Sequence, residues 1–246
     1  METMFSGVNA QLIDNITNAA LRPYPYPHFY CQSVFPDGFY QEIISHLPSL
    51  EKYQPISDTS RIKKKNRNKQ TRYKDRYIIT LTSDDVDAFD DKDRAFWKDL
   101  TAILGSTEFA KAVLLKFRRF IQERFGDRIG QLQFLTDIQL ICDNRGYSLG
   151  PHTDYKDKVA VVLFYLPQSD QRPDLGTSLY VPKDKRFICE GGPHHDFKDF
   201  DRVFTAAYLP NTALSFFKTN NSFHGVEPLK DAEIKRNVIQ LSIIYR

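Results

Sequence analysis

Cysteine, methionine and tryptophan are scarce in this chain of 246 residues: three, two and one. The cysteines, Cys31, Cys142 and Cys189, are odd in number and widely spaced, which argues against a disulfide framework or a zinc knuckle. A reducing, cytoplasmic setting is the expectation. No stretch approaches the roughly 18 apolar residues of a membrane helix, and Met1-Glu2-Thr3-Met4 lacks the basic start and apolar run of a secretory signal. A surplus of one charge is missing too. The formal net charge is only +3, too near balance for the whole surface to attract nucleic acid, so an electrostatic partner must meet a local patch. There is no internal repeat and no His-Glu-x-x-His helix of the kind zinc hydrolases use.

What is present describes a globular protein: 41% of residues are hydrophobic and 13% aromatic. The length suits one sizeable core, and β-rich folds of this size commonly form a single domain. The expected organisation is one domain over 1–246, with 1–130 as mostly helical support and lid and 131–246 as a β-rich core.

Periodicity supports that division. Val8, Leu12, Ile16 and Ala19-Ala20-Leu21 predict a helix over about 8–21, ended by Pro23. Phe39, Ile43, Ile44 and Leu47 predict a second helix after Pro36-Asp37. Further helices are expected near 93–104 and 106–125, and a strand over 76–81. His28 and His46 fall in this helical region and read as ordinary packing or surface residues. From about 132 the pattern changes to short strand-like runs at 132–142, 158–166, 177–181, 203–209, 213–217, 223–227 and 236–245, separated by Pro, Gly, Asn and Asp turns. Such density predicts a closed or double-layered antiparallel fold. The expected class is α+β with a mainly β core: a jelly roll, or double-stranded β-helix, supported by N-terminal helices.

His152-Thr153-Asp154, the later His224 and then Arg236 stand out within that core. In extended chain, residues i and i+2 face one side, so His152 and Asp154 can reach one metal while Thr153 faces away. A distant strand then supplies His224. Two histidines and one carboxylate are the ligand set of non-haem Fe(II) sites with open positions. Arg236 opens a strand-like run, and its guanidinium can grip a carboxylate with two parallel hydrogen bonds. Lys235 beside it is the competing cation. Alternation favours Arg236: if residue 236 faces inward, so do 238, 240, 242 and 244, and 235 faces out.

The chain resembles the 2-oxoglutarate and Fe(II)-dependent oxygenases, most closely the prolyl 4-hydroxylase-like branch. The resemblance covers 132–246 and rests on Gly146 to Asp154, Val161 to Pro167, Leu175 to Tyr180 and Ser222 to Pro228. It implies a jelly-roll core, and it implies Fe(II) on His152, Asp154 and His224. Arg236 matches the residue that pairs with the far carboxylate of 2-oxoglutarate. Tyr165 falls where many relatives place a hydroxyl on that carboxylate, and Tyr147 is expected on the strand entering the site. The implied reaction uses 2-oxoglutarate and O2 and releases succinate and CO2. Free amino acid, peptidyl residue and small metabolite remain open as substrates.

Two other signals carry bland readings. His194-His195-Asp196 follows Gly191-Gly192-Pro193 and reads as a solvated loop, at most bordering the site mouth. Residues 61–76 hold Arg61, Lys63, Lys64, Lys65, Arg67, Lys69, Arg72, Lys74 and Arg76 against Asp75, which is usually a solvated loop. The functional alternative is a lid recruiting an anionic or carrier-bound substrate, with nucleic acid ranked lower because no recognised reading module accompanies the charges. The competing functions are a metal-dependent hydrolase on the same three ligands and a non-catalytic jelly-roll binding module.

Overall fold

The computed structural model describes residue 5 and residues 7–59, 73–81, 89–231 and 233–246. Its helical part comprises α1 (Val8–Asn18), α2 (Asp37–Ser45), α3 (Asp91–Leu104), α4 (Thr107–Lys116) and α5 (Arg118–Phe125). The strands are β1 (His28–Gln32), β2 (Gln54–Pro55), β3 (Arg76–Thr80), β4 (Phe134–Asn144), β5 (Leu149–His152), β6 (Lys158–Tyr165), β7 (Ser178–Pro182), β8 (Phe200–Thr205), β9 (Thr212–Phe217), β10 (His224–Val226) and β11 (Lys235–Tyr245).

Among the described residues they form two antiparallel sheets, a large one ordered β1-β9-β6-β11-β4-β3-β2 and a small one ordered β5-β10-β7-β8. Strand β11 pairs along its whole length with β4, from Lys235 opposite Asn144 to Tyr245 opposite Phe134, and its other edge pairs with β6. That register decides what each face carries. Ile239, Leu241 and Ile243 of β11 lie beside Ile138, Leu140 and Cys142 of β4 on the face packed against the helices. The alternate residues, including Arg236 and Val238, face the small sheet, where Tyr147, Leu149, Leu163 and Tyr165 make a second core. Two layers of strands enclosing one interior, braced by helices on one side, make the jelly roll that the run of short strands predicts.

Several elements differ from expectation for identifiable reasons. Helix α1 stops at Asn18, because Arg22 already exchanges two backbone hydrogen bonds with His28, and this turns the chain before Pro23. His28 lies on strand β1 rather than in a helix: His28 to Gln32 pair with Phe216 to Thr212 and add an edge to the large sheet. The helix expected over 106–125 divides at Phe117, whose φ of −99° and ψ of 12° cap one segment and open the next. The break lets Phe117 bury fully between Phe29 and Phe217, at 5.7 and 5.8 Å between ring centres.

Candidate metal centre

His152 ends β5 and His224 begins β10, and the two are direct cross-strand partners with ring centres 4.3 Å apart. Each uses Nδ1 on the carbonyl two residues earlier, His152 on Gly150 at 3.1 Å and His224 on Ser222 at 3.0 Å. A carbonyl only accepts, so the hydrogen sits on Nδ1 and Nε2 keeps its lone pair for a metal. Burial, reinforced by His224 and His194, holds His152 well below the usual imidazole range. Burial also lowers His224, against an opposing pull from Asp154. Both rings are therefore neutral near neutral pH, as ligation requires.

Asp154 completes the group. Thr153 turns away as alternation demands, its hydroxyl donating to the Cys189 carbonyl at 2.7 Å. Oδ1 of Asp154 accepts from Lys158 Nζ at 2.8 Å, whereas Oδ2 is buried without a hydrogen-bond partner, 3.7 Å from His224 Nε2. A buried carboxylate oxygen left bare is costly unless something positive meets it. Burial works to raise the Asp154 carboxyl, but Lys158, His224 and His152 outweigh it and leave it well below the usual carboxylate range. One ligand atom from each of the three residues falls within 4.8 Å of the others. Gly191, at φ 136°, lets the following loop close over this point, since a Cβ there would sit 2.3 Å from the Asp154 carbonyl oxygen.

A cavity of about 600 Å³ opens from the three residues, and Arg236 lies in its wall together with the apolar Leu149, Val161, Leu163 and Phe216. Arg236 is fully buried while Lys235 is exposed, which follows the alternation read along β11. Its Nε donates to the Leu175 carbonyl at 2.6 Å, Nη1 to Asp143 Oδ2 at 2.9 Å and Nη2 to Thr177 Oγ1 at 3.1 Å. Tyr165 is buried beside it, its ring centre 5.8 Å from the guanidinium carbon, and its hydroxyl accepts from the Thr177 amide at 3.1 Å.

Three expectations need correction. Tyr147 is not on a strand but in the connection between β4 and β5; it is fully buried, and its hydroxyl has no partner. His194 does lie in a loop at the cavity, but it is not free in solvent: its ring packs 4.8 Å from that of His152, and its Nε2 meets the Tyr73 hydroxyl at 2.9 Å. Arg76 does not belong with the basic run. It is buried, and its Nε and Nη2 grip Asp143 at 2.6 and 2.8 Å. Lys74 is exposed, and the rest of that run, Arg61 to Arg72, lies outside the described residues.

Sequence reasoning missed Lys158, Asp143 and Thr177. Lys158 is four positions after Asp154, a spacing that could have drawn notice. Asp143 closes the largely apolar run Ile138 to Cys142, and a charge directly after Leu140-Ile141-Cys142 asks for a buried partner.

No family model and no curated protein matches the sequence. Solved structures do match the fold. A prolyl hydroxylase of Trichoplax adhaerens in complex with a hypoxia inducible factor peptide fragment aligns over 96% of this chain and 88% of its own, at 12% identity and a TM-score of 0.52. A prolyl-4-hydroxylase of Pseudomonas putida aligns over 97% and 99%, at 11% identity and a TM-score of 0.51. SnoK, a non-heme alpha ketoglutarate dependent carbocyclase from nogalamycin biosynthesis, aligns over 96% and 85%, at 9% identity and a TM-score of 0.52. With two antiparallel sheets enclosing a His-Asp-His group, the chain has the jelly-roll fold of these enzymes.

Proposed function

We propose that this protein is an Fe(II)- and 2-oxoglutarate-dependent dioxygenase that oxidises an unactivated C–H bond, as a hydroxylase, in a peptidyl residue, amino acid or small molecule. The observation that carries the reading is the bare, buried Oδ2 of Asp154 facing two neutral histidines, with a buried arginine in the wall of the same cavity. Two imidazole nitrogens and one carboxylate oxygen suit ferrous iron and leave positions for other ligands.

His152, Asp154 and His224 would hold the metal, and Arg236 would receive the distal carboxylate of 2-oxoglutarate through N–H groups beyond those its three neighbours occupy. Tyr165, next to that guanidinium, would turn its hydroxyl hydrogen to the same carboxylate. Iron and 2-oxoglutarate together supply the oxidising power, with O2 consumed and succinate and CO2 released. The chain's own work is placement. Lys158 fixes one oxygen of Asp154 so that the other stays on the metal side. Leu149, Val161, Leu163, Phe216 and Val238 line the cavity and keep water from the oxidising centre. Selectivity then comes from which substrate carbon is held near the metal rather than from acid or base side chains.

The likeness to prolyl hydroxylases, one of them in complex with a peptide fragment, favours a peptidyl substrate among the three classes. The test is succinate formation by purified protein screened against peptide and metabolite libraries. Turnover that needs Fe(II), 2-oxoglutarate and O2 together is the expected result. Zinc-dependent hydrolysis without 2-oxoglutarate would replace this reading.

A further inference from the structure

Asp143 lies in register with an arginine on each side: Arg76 on β3 and Arg236 on β11 are both its direct cross-strand neighbours. The carboxylate is completely buried and accepts three charge-assisted hydrogen bonds, two from Arg76 at 2.6 and 2.8 Å and one from Arg236 at 2.9 Å. Two cations share one anion. Among the described residues no second carboxylate pairs with either arginine, so these three side chains carry one net positive charge in a largely buried place. A buried charge without a counter-ion is strongly unfavourable. Bracing three strands would need only a neutral pair. Moreover both arginines border the cavity, and the Tyr147 hydroxyl, buried and without a partner, belongs to the ring that Arg76 covers at 4.3 Å. An uncompensated cation at a cavity wall describes a receptor for an anion.

We propose that Arg76 is a positioning residue for the dicarboxylate co-substrate: it takes up the charge of Asp143, so that Arg236 is oriented by that carboxylate yet stays free to attract an incoming one. This inference rests on the co-substrate reading given above. Asp143, the Leu175 carbonyl and Thr177 each hold a different nitrogen of Arg236 and set the plane of its guanidinium. Asp143 alone would also neutralise it. A carboxylate approaching a closed Arg236–Asp143 pair gains little, because attraction by the guanidinium is cancelled by repulsion from Asp143 a hydrogen bond away. With Arg76 in place, the three side chains and the incoming carboxylate form an alternating, neutral set. The ligand class follows: an acid with a second carboxylate at its far end is preferred over one without it.

Calorimetric titration of the Zn(II)-loaded protein with 2-oxoglutarate, and with pyruvate as the acid lacking the distal carboxylate, tests this without turnover. Arg76→Met should weaken 2-oxoglutarate binding by about tenfold or more and leave pyruvate nearly unchanged, because Arg236 would then meet the distal carboxylate as half of a neutral pair and lose most of a charge-assisted contact. The decisive variant is the pair Arg76→Met with Asp143→Asn, which removes both charges. It should return 2-oxoglutarate affinity to within about threefold of wild type, because Arg236 is again uncompensated. Arg76→Lys, which keeps the charge and loses the fork, should stay near wild type. If Arg76→Met alone does not fold, the paired variant and Arg76→Lys carry the test. A paired variant as weak as Arg236→Met, or an Arg76→Met protein that keeps wild-type preference for 2-oxoglutarate, overturns the role of Arg76. Wild-type protein without any preference for 2-oxoglutarate over pyruvate overturns the co-substrate reading itself, and this inference with it.

Discussion

The two faces of the large sheet use the same strands for opposite purposes. On the helix side, Phe164 of β6 and Ile239 and Leu241 of β11 join Phe35, Trp97 and Phe109 in one apolar core. One residue along each strand, the other face carries Tyr165, Arg236 and Asp143 into the interior between the sheets. The first face gains stability from dispersion and water exclusion. The second holds charges that a stability argument alone would not select, since buried ion pairs seldom outperform apolar packing of the same shape. Burial therefore means different things on the two faces, and substitutions should separate them.

The largest separation is expected at the metal group. Asp154→Ala should abolish Fe(II)-dependent succinate formation and weaken metal binding by more than about 100-fold, since even an outer contact to a ligand is worth 10–100-fold. Its melting temperature should fall only modestly, because Oδ2 has no hydrogen-bond partner to lose and the one contact given up is that of Oδ1 with Lys158. The mirror case is Phe164→Ala, whose ring meets Phe35 and Phe109 at 5.5 and 6.1 Å between centres. Chemical denaturation should show a loss of about 3–5 kcal/mol, with metal affinity of the folded protein unchanged. Arg236→Ala comes next. The 2-oxoglutarate concentration for half-maximal turnover should rise by the equivalent of about 1.5–3 kcal/mol, and Arg236→Lys should recover only part of it. Were Lys235→Ala the more damaging change, the assignment along β11 would fail.

The smallest effect concerns Lys218, fully buried at the end of β9 and donating to the Thr219 carbonyl at 2.8 Å. Burial, then Arg124, lower it from the ordinary 10.5 to about 8. Below pH 8 folded and unfolded chains both carry the proton, and the burial cost is at its full value. Between 8 and 10.5 the folded chain releases its proton first, so the unfolded chain binds more and stability rises with pH. Relative to Lys218→Met, wild type should gain about 1–3 kcal/mol across that window in denaturant titrations. Parallel pH profiles for the two proteins would show Lys218 to be charged in the fold throughout.

What the sequence revealed divides along the same line. The helix-side core was legible because periodicity is local: Phe96, Trp97 and Leu100 mark α3, and alternation along β11 separated Arg236 from Lys235. The candidate metal ligands were legible because His152 and Asp154 share one segment. Asp143 was not, since its two partners come from β3 and β11 and only register across three strands brings them together. Arg76 was read as opening a strand yet still counted with the basic run, because its buried pairing with Asp143 joins residues far apart along the chain. The break at Phe117 and the edge strand β1 likewise follow from packing against residues far along the chain.

Anaerobic titration of the protein with Fe(II) and then 2-oxoglutarate, followed by visible absorption, tests the central claim most directly. Wild-type protein should show a weak charge-transfer band when both are present, a band lost in His152→Ala and Asp154→Ala and needing higher 2-oxoglutarate in Arg236→Ala. A wild-type protein that binds Fe(II) but shows no band with 2-oxoglutarate, or variants that keep it unaltered, would contradict it.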